Sequence, residues 1–275
     1  MRIPRTRLRM ATRALLITAA ALAGGCTANN APSDARAKLD AGNQAFEARQ
    51  YDTAIADADA VLAARSSGPE TAEAYYLRGR AVEDRVTQST TPDSRTRDLG
   101  EARTDYERAL RASPPPWLEA RIQAALANIA YQQDDYPTAL REWTTAYPNL
   151  DQPDWKAWAL YRIGLSQQRL GRFEEADQTF AMVQRQYPTA AGGEPAQRAR
   201  QHQGVRGFFV QVGAYSRRGD ADKAAAAIRA AGLPPQEADD HGLQAVRTGP
   251  VPSYAQAQSI KARLAAMFPG ATIIP

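Results

Sequence analysis

The sequence has few of the side chains that build disulfides, metal sites and catalytic pairs. Its 275 residues include one cysteine, which excludes a disulfide within the chain. Its two histidines, His202 and His241, lie in loop-like sequence without the spacing of metal ligands. Glycan cleavage requires a pair of catalytic carboxylates, and no such pair stands out from the acidic residues on predicted solvent-facing sides of helices. The sequence therefore predicts neither a metal, nor another cofactor, nor an enzyme.

The protein also lacks a long hydrophobic run and, outside its first residues, an excess of positive charge. The apolar run at 14–23 covers ten residues, whereas a helix needs about 20 to span a bilayer. Five of the 34 basic residues fall within 1–25, which leaves 29 against 30 acidic residues, a net charge of −1. Because the chain after residue 25 has almost no net charge, it has no positive electrostatic field to attract a phosphate backbone, and we expect no nucleic-acid partner.

The first 25 residues have the three parts of an export signal: arginines through Arg13, an apolar run, and small residues before Cys26. Leu-Ala-Gly-Gly-Cys at 22–26 resembles the bacterial lipobox, which implies that Cys26 becomes a lipidated N-terminus. Residues 1–25 are then a lipoprotein signal peptide and 26–33 a tether. A plain cleaved signal and a retained apolar helix are the alternatives. Thr27 resembles an outer-membrane sorting residue, so we expect anchoring at the outer membrane, facing the periplasm.

Residues 34–200 are rich in alanine and place apolar side chains at helical spacing. Four copies of one pattern pair a small residue with a later alanine. The alanine follows twelve residues later in three copies, and in the remaining copy eleven extra residues separate the two. The pairs are Gly42 and Ala54, Gly79 and Ala102, Ala127 and Ala139, and Gly164 and Ala176. An aromatic residue precedes the alanine by three positions in the regular copies, at Tyr51, Tyr136 and Phe173.

This pattern resembles the tetratricopeptide repeat (TPR) family. The resemblance implies an all-α array of helix pairs, in which small residues let helices approach and aromatics fill the space between pairs. A plain helical bundle is the alternative. Arrays of this family bind peptides or proteins, so we expect an unidentified protein partner. The tryptophans either pack between repeats or line that binding face; they are Trp117, Trp143, Trp155 and Trp158.

Two interruptions divide the helical pattern. The polar stretch at 85–97 predicts either an insertion or lengthened helix ends in the second repeat. A Gly-Gly-Glu-Pro sequence at 192–195 marks the end of the array, with a short capping helix at 195–202. We therefore place TPR-like repeats at 34–200, a linker at 201–206 and a second domain at 207–275.

The second domain is predicted to be a small α+β domain. Strand patterns lie at 208–215, 236–238, 243–248 and 271–274, and helix patterns at 220–231 and 254–268. The order βαββαβ predicts a four-stranded antiparallel sheet with two helices on one face. Phe-Val-Gln-Val-Gly-Ala-Tyr and the later Val-Arg-Thr-Gly-Pro-Val resemble the sporulation-related repeat (SPOR) family. That resemblance implies binding to peptidoglycan glycan strands, preferably those stripped of stem peptides.

Strand alternation predicts which side chains meet a ligand, because successive residues point to opposite faces. The predicted inward set is Phe208, Val210, Val212 and Val246. The predicted outward set is Phe209, Gln211, Gly213, Ala245 and Arg247. An aromatic ring can stack on a sugar while amide and guanidinium groups bind its hydroxyl and acetamido groups.

The resemblance adds two assignments to the first strand. Gln211 matches the glutamine associated with glycan binding in the family, and Ala214 stands where a small polar residue is common. A wetted sheet face without a ligand is the alternative interpretation. The candidate glycan-binding residues are Phe209, Gln211, Ala214 and Arg247.

Together these expectations describe an envelope protein anchored by lipid at one end and bound to glycan at the other. Its repeats would dock a partner in cell division or envelope organisation. The alternative is a TPR lipoprotein scaffold for outer-membrane or secretion complexes, in which wall binding serves only localisation. RNA binding by the sheet is disfavoured, because the basic-aromatic motif is missing and export removes the ligand.

Overall fold

A computed structural model describes residues 34–64, 67–85 and 91–274 of the protein. The predicted signal peptide, Cys26 and the tether lie outside these residues. Within the described ranges, no helix has both the length and the apolarity to cross a bilayer.

All the regular secondary structure described up to residue 202 is helical. Consecutive helices pack against one another along the whole series, as expected for helix pairs stacked in sequence order. The helices are α1 (Asp34–Glu47), α2 (Tyr51–Ala64), α3 (Pro69–Arg85), α4 (Pro92–Arg111), α5 (Pro116–Gln132), α6 (Tyr136–Ala146), α7 (Pro153–Arg169), α8 (Phe173–Gln186) and α9 (Glu194–His202). The predicted all-α array and its short capping helix are both present.

The glycines of the repeated pattern lie where neighbouring helices come close, within a helix pair for Gly79 and Gly164 and between α1 and α3 for Gly42. A Cβ atom on Gly79 would lie 2.7 Å from the ring of Tyr106 in α4, and one on Gly42 would lie 2.7 Å from a methyl group of Leu77. Gly164 is packed in the same way against the ring of Phe180. The helices approach so closely because these positions carry no side chain.

The second repeat has a lengthened helix. Helix α4 spans 20 residues and begins at Pro92, where the Thr91 hydroxyl accepts a hydrogen bond from the Ser94 amide at 3.2 Å. Residues 86–90, within the predicted interruption, lie outside the described residues. The six residues after Thr91 therefore extend a helix end, which is one of the two predicted forms of this interruption.

A carboxylate joins the second and third repeats. Glu83 in α3 accepts hydrogen bonds from the Tyr106 hydroxyl at 2.8 Å, the Gln132 amide at 3.0 Å and the Asn128 amide. Burial raises the pKa of Glu83 above its usual 4.5, while the hydrogen bonds from Tyr106 and Asn128 oppose that rise. Three donors thus compensate a carboxylate placed between helices.

The C-terminal domain has the predicted βαββαβ order. Its elements are β1 (Phe208–Tyr215), α10 (Arg218–Ala230), β2 (Pro235–Asp240), β3 (Leu243–Val251), α11 (Tyr254–Leu264) and β4 (Thr272–Ile274). The strands lie in the order β2-β3-β1-β4, and every neighbouring pair is antiparallel. Strand β3 runs on beyond its predicted end at Gly249–Pro250, because Val251 still pairs with Phe208.

Helices α10 and α11 cover one face of this sheet. The four residues predicted to point inward all belong to the buried core beneath the helices, together with Ile228 of α10 and Leu264 of α11. Ser253 caps α11, as predicted, by accepting a hydrogen bond from the Gln256 amide at 3.3 Å. The opposite face of the sheet is not covered by α10 or α11, and it is termed the open face.

Candidate functional site

Gln211 and Arg247 lie side by side on the open face. Gln211 of β1 pairs with Arg247 of β3, and paired residues of an antiparallel ladder share a face. Both residues are partly exposed, whereas Val210, next to Gln211, is fully buried on the other face. The structure therefore brings an amide and a guanidinium group together where they are reachable from solvent.

Arg247 also contacts Phe209. The centre of its guanidinium group lies 4.1 Å from the centroid of the Phe209 ring, a cation–π distance. Its Nε atom is shielded from solvent and has no hydrogen-bond partner in the described part of the chain. Phe209, Gln211 and Arg247 thus form one patch, with a ring, an amide and guanidinium N–H donors within reach of the same ligand.

A β-bulge corrects one of the predicted faces. Gln211 pairs with Arg247 but Gly213 pairs with Val246, so that Val212 is an extra residue in β1. Gly213 therefore shares the helix-covered side with buried Val246, and its predicted place on the open face is wrong. The bulge turns Ala214 outward instead, opposite Ala245. Plain alternation would have turned Ala214 inward, because it cannot reveal an inserted residue.

Two further side chains lie in line with Gln211 and Arg247. Thr272 of β4 pairs with Gln211, and Gln236 of β2 pairs with Arg247. Since adjacent strands lie about 4.8 Å apart, these four side chains form a polar row across the whole sheet. The Gln236 amide donates a hydrogen bond to the Gly249 carbonyl at 2.7 Å, which orients it. Sequence patterns missed Gln236 and Thr272, because the register of short edge strands leaves no local signal.

The open face carries little net charge. By the register of the paired residues, its charged members are Arg247 and, at the far end of β2, Asp240. A surface that binds a phosphate backbone presents several cations in excess. This face therefore suits an uncharged polar chain better than a nucleic acid.

The tryptophans of the array have different environments. Trp143 is buried in the helical core and packs between repeats, while Trp117 is 41% exposed. The Arg121 guanidinium lies 5.1 Å from the ring of Trp117 and 5.7 Å from that of Trp155. Trp117, Trp155 and Arg121 thus form a surface cluster of the residue types enriched in protein interfaces.

No group of three or more metal-binding side chains occurs within the described ranges. The burial of His202 lowers its pKa, and the positive charges of Arg169 and Arg198 lower it further. This histidine packs against the rings of Tyr161 and Phe180 at the end of the helical array, away from the open face. It forms part of the packing of the array.

Comparisons with known families agree with both halves of the chain. Tetratricopeptide repeat models match residues 39–86, 94–153 and 158–190, and the SPOR domain model matches residues 204–275. The chain carries TPR repeats followed by a SPOR domain. Both are binding modules, and the predicted fold class and the resemblances to the TPR and SPOR families are confirmed.

Solved structures resemble the TPR part. A thermophilic TPR protein from Thermus thermophilus shares 15% identity over 62% of this chain and 82% of its own, with a TM-score of 0.51. YrrB, described as a TPR protein with an unusual peptide-binding site, shares 23% over 60% and 75%, with a TM-score of 0.43. A mutant of MamA shares 17% over 62% and 90%, at 0.38. The first likeness supports the TPR fold, and no curated protein sequence matches the chain significantly.

Proposed function

We propose that this protein is a non-enzymatic scaffold that binds peptidoglycan glycan strands through the open face of its SPOR domain. The observation that carries the proposal is the pairing of Gln211 with Arg247 on the uncovered side of the sheet. Both groups offer hydrogen bonds to sugar hydroxyl and acetamido groups, and Phe209 offers an apolar surface beside them. Thr272 and Gln236 extend these contacts along a glycan that crosses the strands.

The small residues of the open face support a glycan without stem peptides. Ala214, Ala245 and Ala238 occupy neighbouring strands in the row next to the polar one. The middle member, Ala245, is 2% exposed, so Ala214 and Ala238, which are partly exposed, are the members that a sugar can reach. A short side chain at each of these positions keeps the row low and lets a sugar ring approach the sheet closely. The stem peptides of an unprocessed strand would instead stand between the glycan and this face. We therefore propose that strands stripped of stem peptides are the preferred ligand.

The TPR array supports a second role in docking a protein partner, and the surface cluster of Trp117, Arg121 and Trp155 is a candidate for that contact. We further propose that Cys26 is lipidated and holds the protein at the outer membrane, facing the periplasm. The protein would then link the membrane to the cell wall during cell division or envelope organisation.

Glycan binding is tested by sedimentation of the full chain with purified peptidoglycan, before and after amidase treatment. We expect amidase treatment to increase the bound fraction. Gln211→Ala and Arg247→Ala should each weaken binding on the order of tenfold, as expected for the loss of hydrogen bonds worth about 1.5 kcal/mol. Equal binding of wild type and both variants would contradict the proposed site.

Matched controls separate the site from general effects of charge and amide loss. Gln256→Ala and Arg229→Ala remove the same side-chain types from exposed positions on α11 and α10, on the helix-covered side of the domain. We expect both controls to sediment with peptidoglycan as the wild type does. A loss of binding in Arg229→Ala would show that net charge, not the open face, drives sedimentation.

Anchoring and cellular role need experiments in cells. A Cys26→Ser variant should lose acyl labelling and leave the membrane fraction, while its purified form still binds peptidoglycan. A fluorescent fusion of the double variant Gln211→Ala/Arg247→Ala should fail to concentrate at division sites. If the double variant still assembles its partner complex, the array works as a scaffold and wall binding only localises it.

A further inference from the structure

The SPOR domain packs against two turns of the TPR array. One turn lies between α5 and α6 at 133–135, and the other between α7 and α8 at 170–172. From the first turn, the Asp134 carboxylate accepts a hydrogen bond from the Gln258 amide of α11 at 2.7 Å. This bond joins the turn of the third repeat to the first half of α11.

Aromatic rings continue the SPOR core into the array. The ring centroid of Phe208, which is fully buried, lies 5.6 Å from that of Phe173 in α8 and 5.6 Å from that of Tyr254 in α11. Tyr136 of α6 meets Tyr254 edge-to-face, with centroids 5.5 Å apart. The core of the sheet domain is therefore closed at this end by two residues of the array.

Arg169 lies in the middle of these rings. Its guanidinium centre is 3.9 Å from the Tyr254 ring and 5.7 Å from the Phe208 ring, and its Nε donates to the Tyr131 hydroxyl at 3.3 Å. The ring faces and the phenol oxygen compensate part of the cost of removing this cation from water, while its Nη1 atom is buried without a hydrogen-bond partner among the described residues. Arg169 is the last residue of α7, so the array presents this cation to the SPOR domain from a rigid helix end.

At Gly171 the backbones of the two domains come close together. A Cβ atom there would lie 2.8 Å from the backbone carbonyl oxygen of Pro252. The equivalent turn positions in the first and third repeats, two residues before the next helix, are Arg49 and Asp134. All three have a left-handed backbone, with φ of 61°, 62° and 77° for Arg49, Asp134 and Gly171. The turn itself accepts a side chain, so what distinguishes Gly171 is the carbonyl of the SPOR domain.

The segment between the domains is also held in place. Asp177 of α8 accepts hydrogen bonds from the Gly204 amide at 2.9 Å and from the Arg206 guanidinium at 2.7 Å. The Gln184 amide donates to the Gln203 side chain at 2.9 Å. These bonds fix 203–206 along α8 immediately before β1 begins.

We infer that the TPR array and the SPOR domain form one rigid unit, joined at Arg169, Gly171, Phe173, Phe208 and Tyr254, and that this joint fixes the direction of the open face. Phe208 is anchored in the joint, and the next residue, Phe209, belongs to the open face on the other side of the same strand. Arg169 and Gly171 are therefore positioning residues. The consequence of the joint, though not the joint itself, rests on the proposed function. A rigid unit holds the glycan and the protein partner at a fixed separation, so that less conformational freedom is lost when they bind.

The joint is tested by distances between spin labels, which do not depend on any ligand. Labels are attached to Thr144→Cys in α6 and Ser259→Cys in α11, both exposed positions, in a full chain that also carries Cys26→Ser. We expect one narrow distance distribution in this parent. Gly171→Asp and Arg169→Ala should make the distribution several times broader, because the first separates the backbones and the second empties the aromatic cluster.

Arg49→Asp is the matched control, since it places the same residue at the same turn position of a repeat without SPOR contacts. It should leave the distribution as narrow as in the parent. Helical content by circular dichroism shows whether each variant folds. Should Gly171→Asp fail to fold, Gln258→Ala and Tyr254→Ala loosen the joint from the SPOR side.

Trypsin cleavage after Arg206 gives an independent readout. Proteolysis follows the population of the open form, so release of 203–206 in Gly171→Asp should speed cleavage on the order of tenfold over the parent. A broad parent distribution, or a Gly171→Asp variant as narrow and as resistant as the parent, would overturn the joint. Peptidoglycan sedimentation is measured separately: binding with a broad distribution disproves only the joint, and a narrow distribution without binding disproves only the proposed function.

Discussion

The TPR array and the SPOR sheet use glycine for different physical purposes. In the array, Gly79 and Gly164 are absent side chains that let a neighbouring ring approach within one helix pair. In the sheet, Gly213 follows the bulge and shares the helix-covered face with Val246. The first role can be deduced from nearby sequence, because the partner ring lies in the next helix. The second depends on the register with a strand more than 30 residues away.

The largest expected effect comes from the point where the two regions meet. Phe208→Ala empties a fully buried site between the SPOR core and Phe173 of the array. We expect a loss of about 3–5 kcal/mol in the free energy of unfolding, the usual cost of a buried Phe-to-Ala change. Urea unfolding measures it, with Trp117→Ala at an exposed position as the control, expected within about 0.5 kcal/mol of wild type. A cost below about 1 kcal/mol would show that the Phe208 site is not tightly packed.

The next effect distinguishes two helical glycines of the array. Gly164→Ala places a methyl group against the Phe180 ring, and overpacking of this kind costs about 1–3 kcal/mol. Gly100→Ala in α4 meets nothing within 4 Å, so it should instead stabilise the protein by about 0.5–1 kcal/mol through helix propensity. Thermal unfolding of both variants provides the measurement. Opposite signs are expected, and equal signs would contradict the packing role of Gly164.

These glycines show why the array was predictable from sequence. Gly79 and Gly164 of the repeated pattern each meet a ring of the second helix in their own pair, so spacing alone identifies the helices that pack together. The order of strands and helices in the SPOR domain was predictable for a similar reason, because Gly and Pro mark its turns.

The faces of the sheet were predictable only in part. Alternation located Gln211 and Arg247 correctly but misplaced Gly213, since an inserted residue reverses every later position. Gln236 and Thr272 were missed because edge-strand register is set by pairing in three dimensions. The contact between Gly171 and Pro252 joins residues that are about 80 positions apart in the sequence, so no local pattern marks it.

A smaller effect, dependent on pH, should come from Glu83. Because burial raises the pKa of this carboxyl group, the folded protein binds a proton more readily than the unfolded chain just above pH 4.5. Its contribution to stability is therefore largest at low pH and falls as the pH rises from 4.5 through the raised pKa. Glu83→Gln should remove this slope, because an amide does not titrate. The variant keeps its hydrogen bonds, since the amide oxygen still accepts from Asn128 and Gln132 while its NH₂ donates to the Tyr106 oxygen.

Urea unfolding of wild type and Glu83→Gln at several pH values between 4 and 7 measures the difference. The stability of the variant relative to wild type should increase with pH across this window by up to about 1.4 kcal/mol per unit. Asn128→Ala serves as the control that removes a donor and keeps the acid. A constant difference between wild type and Glu83→Gln would mean that Glu83 has the same pKa in the folded and unfolded protein.

The smallest expected change in stability tests the bulge itself. Ala214→Leu adds a large side chain to the open face, so it should change the free energy of unfolding by less than about 0.5 kcal/mol while lowering sedimentation with peptidoglycan. Gly213→Ala adds a methyl group on the covered face, 2.8 Å from the Tyr215 hydroxyl, and the flexible end of that side chain can turn away. Binding should then be unchanged, with a stability loss below about 1 kcal/mol. Were β1 regular, the residues would exchange roles, and Gly213→Ala would be the variant that alters binding.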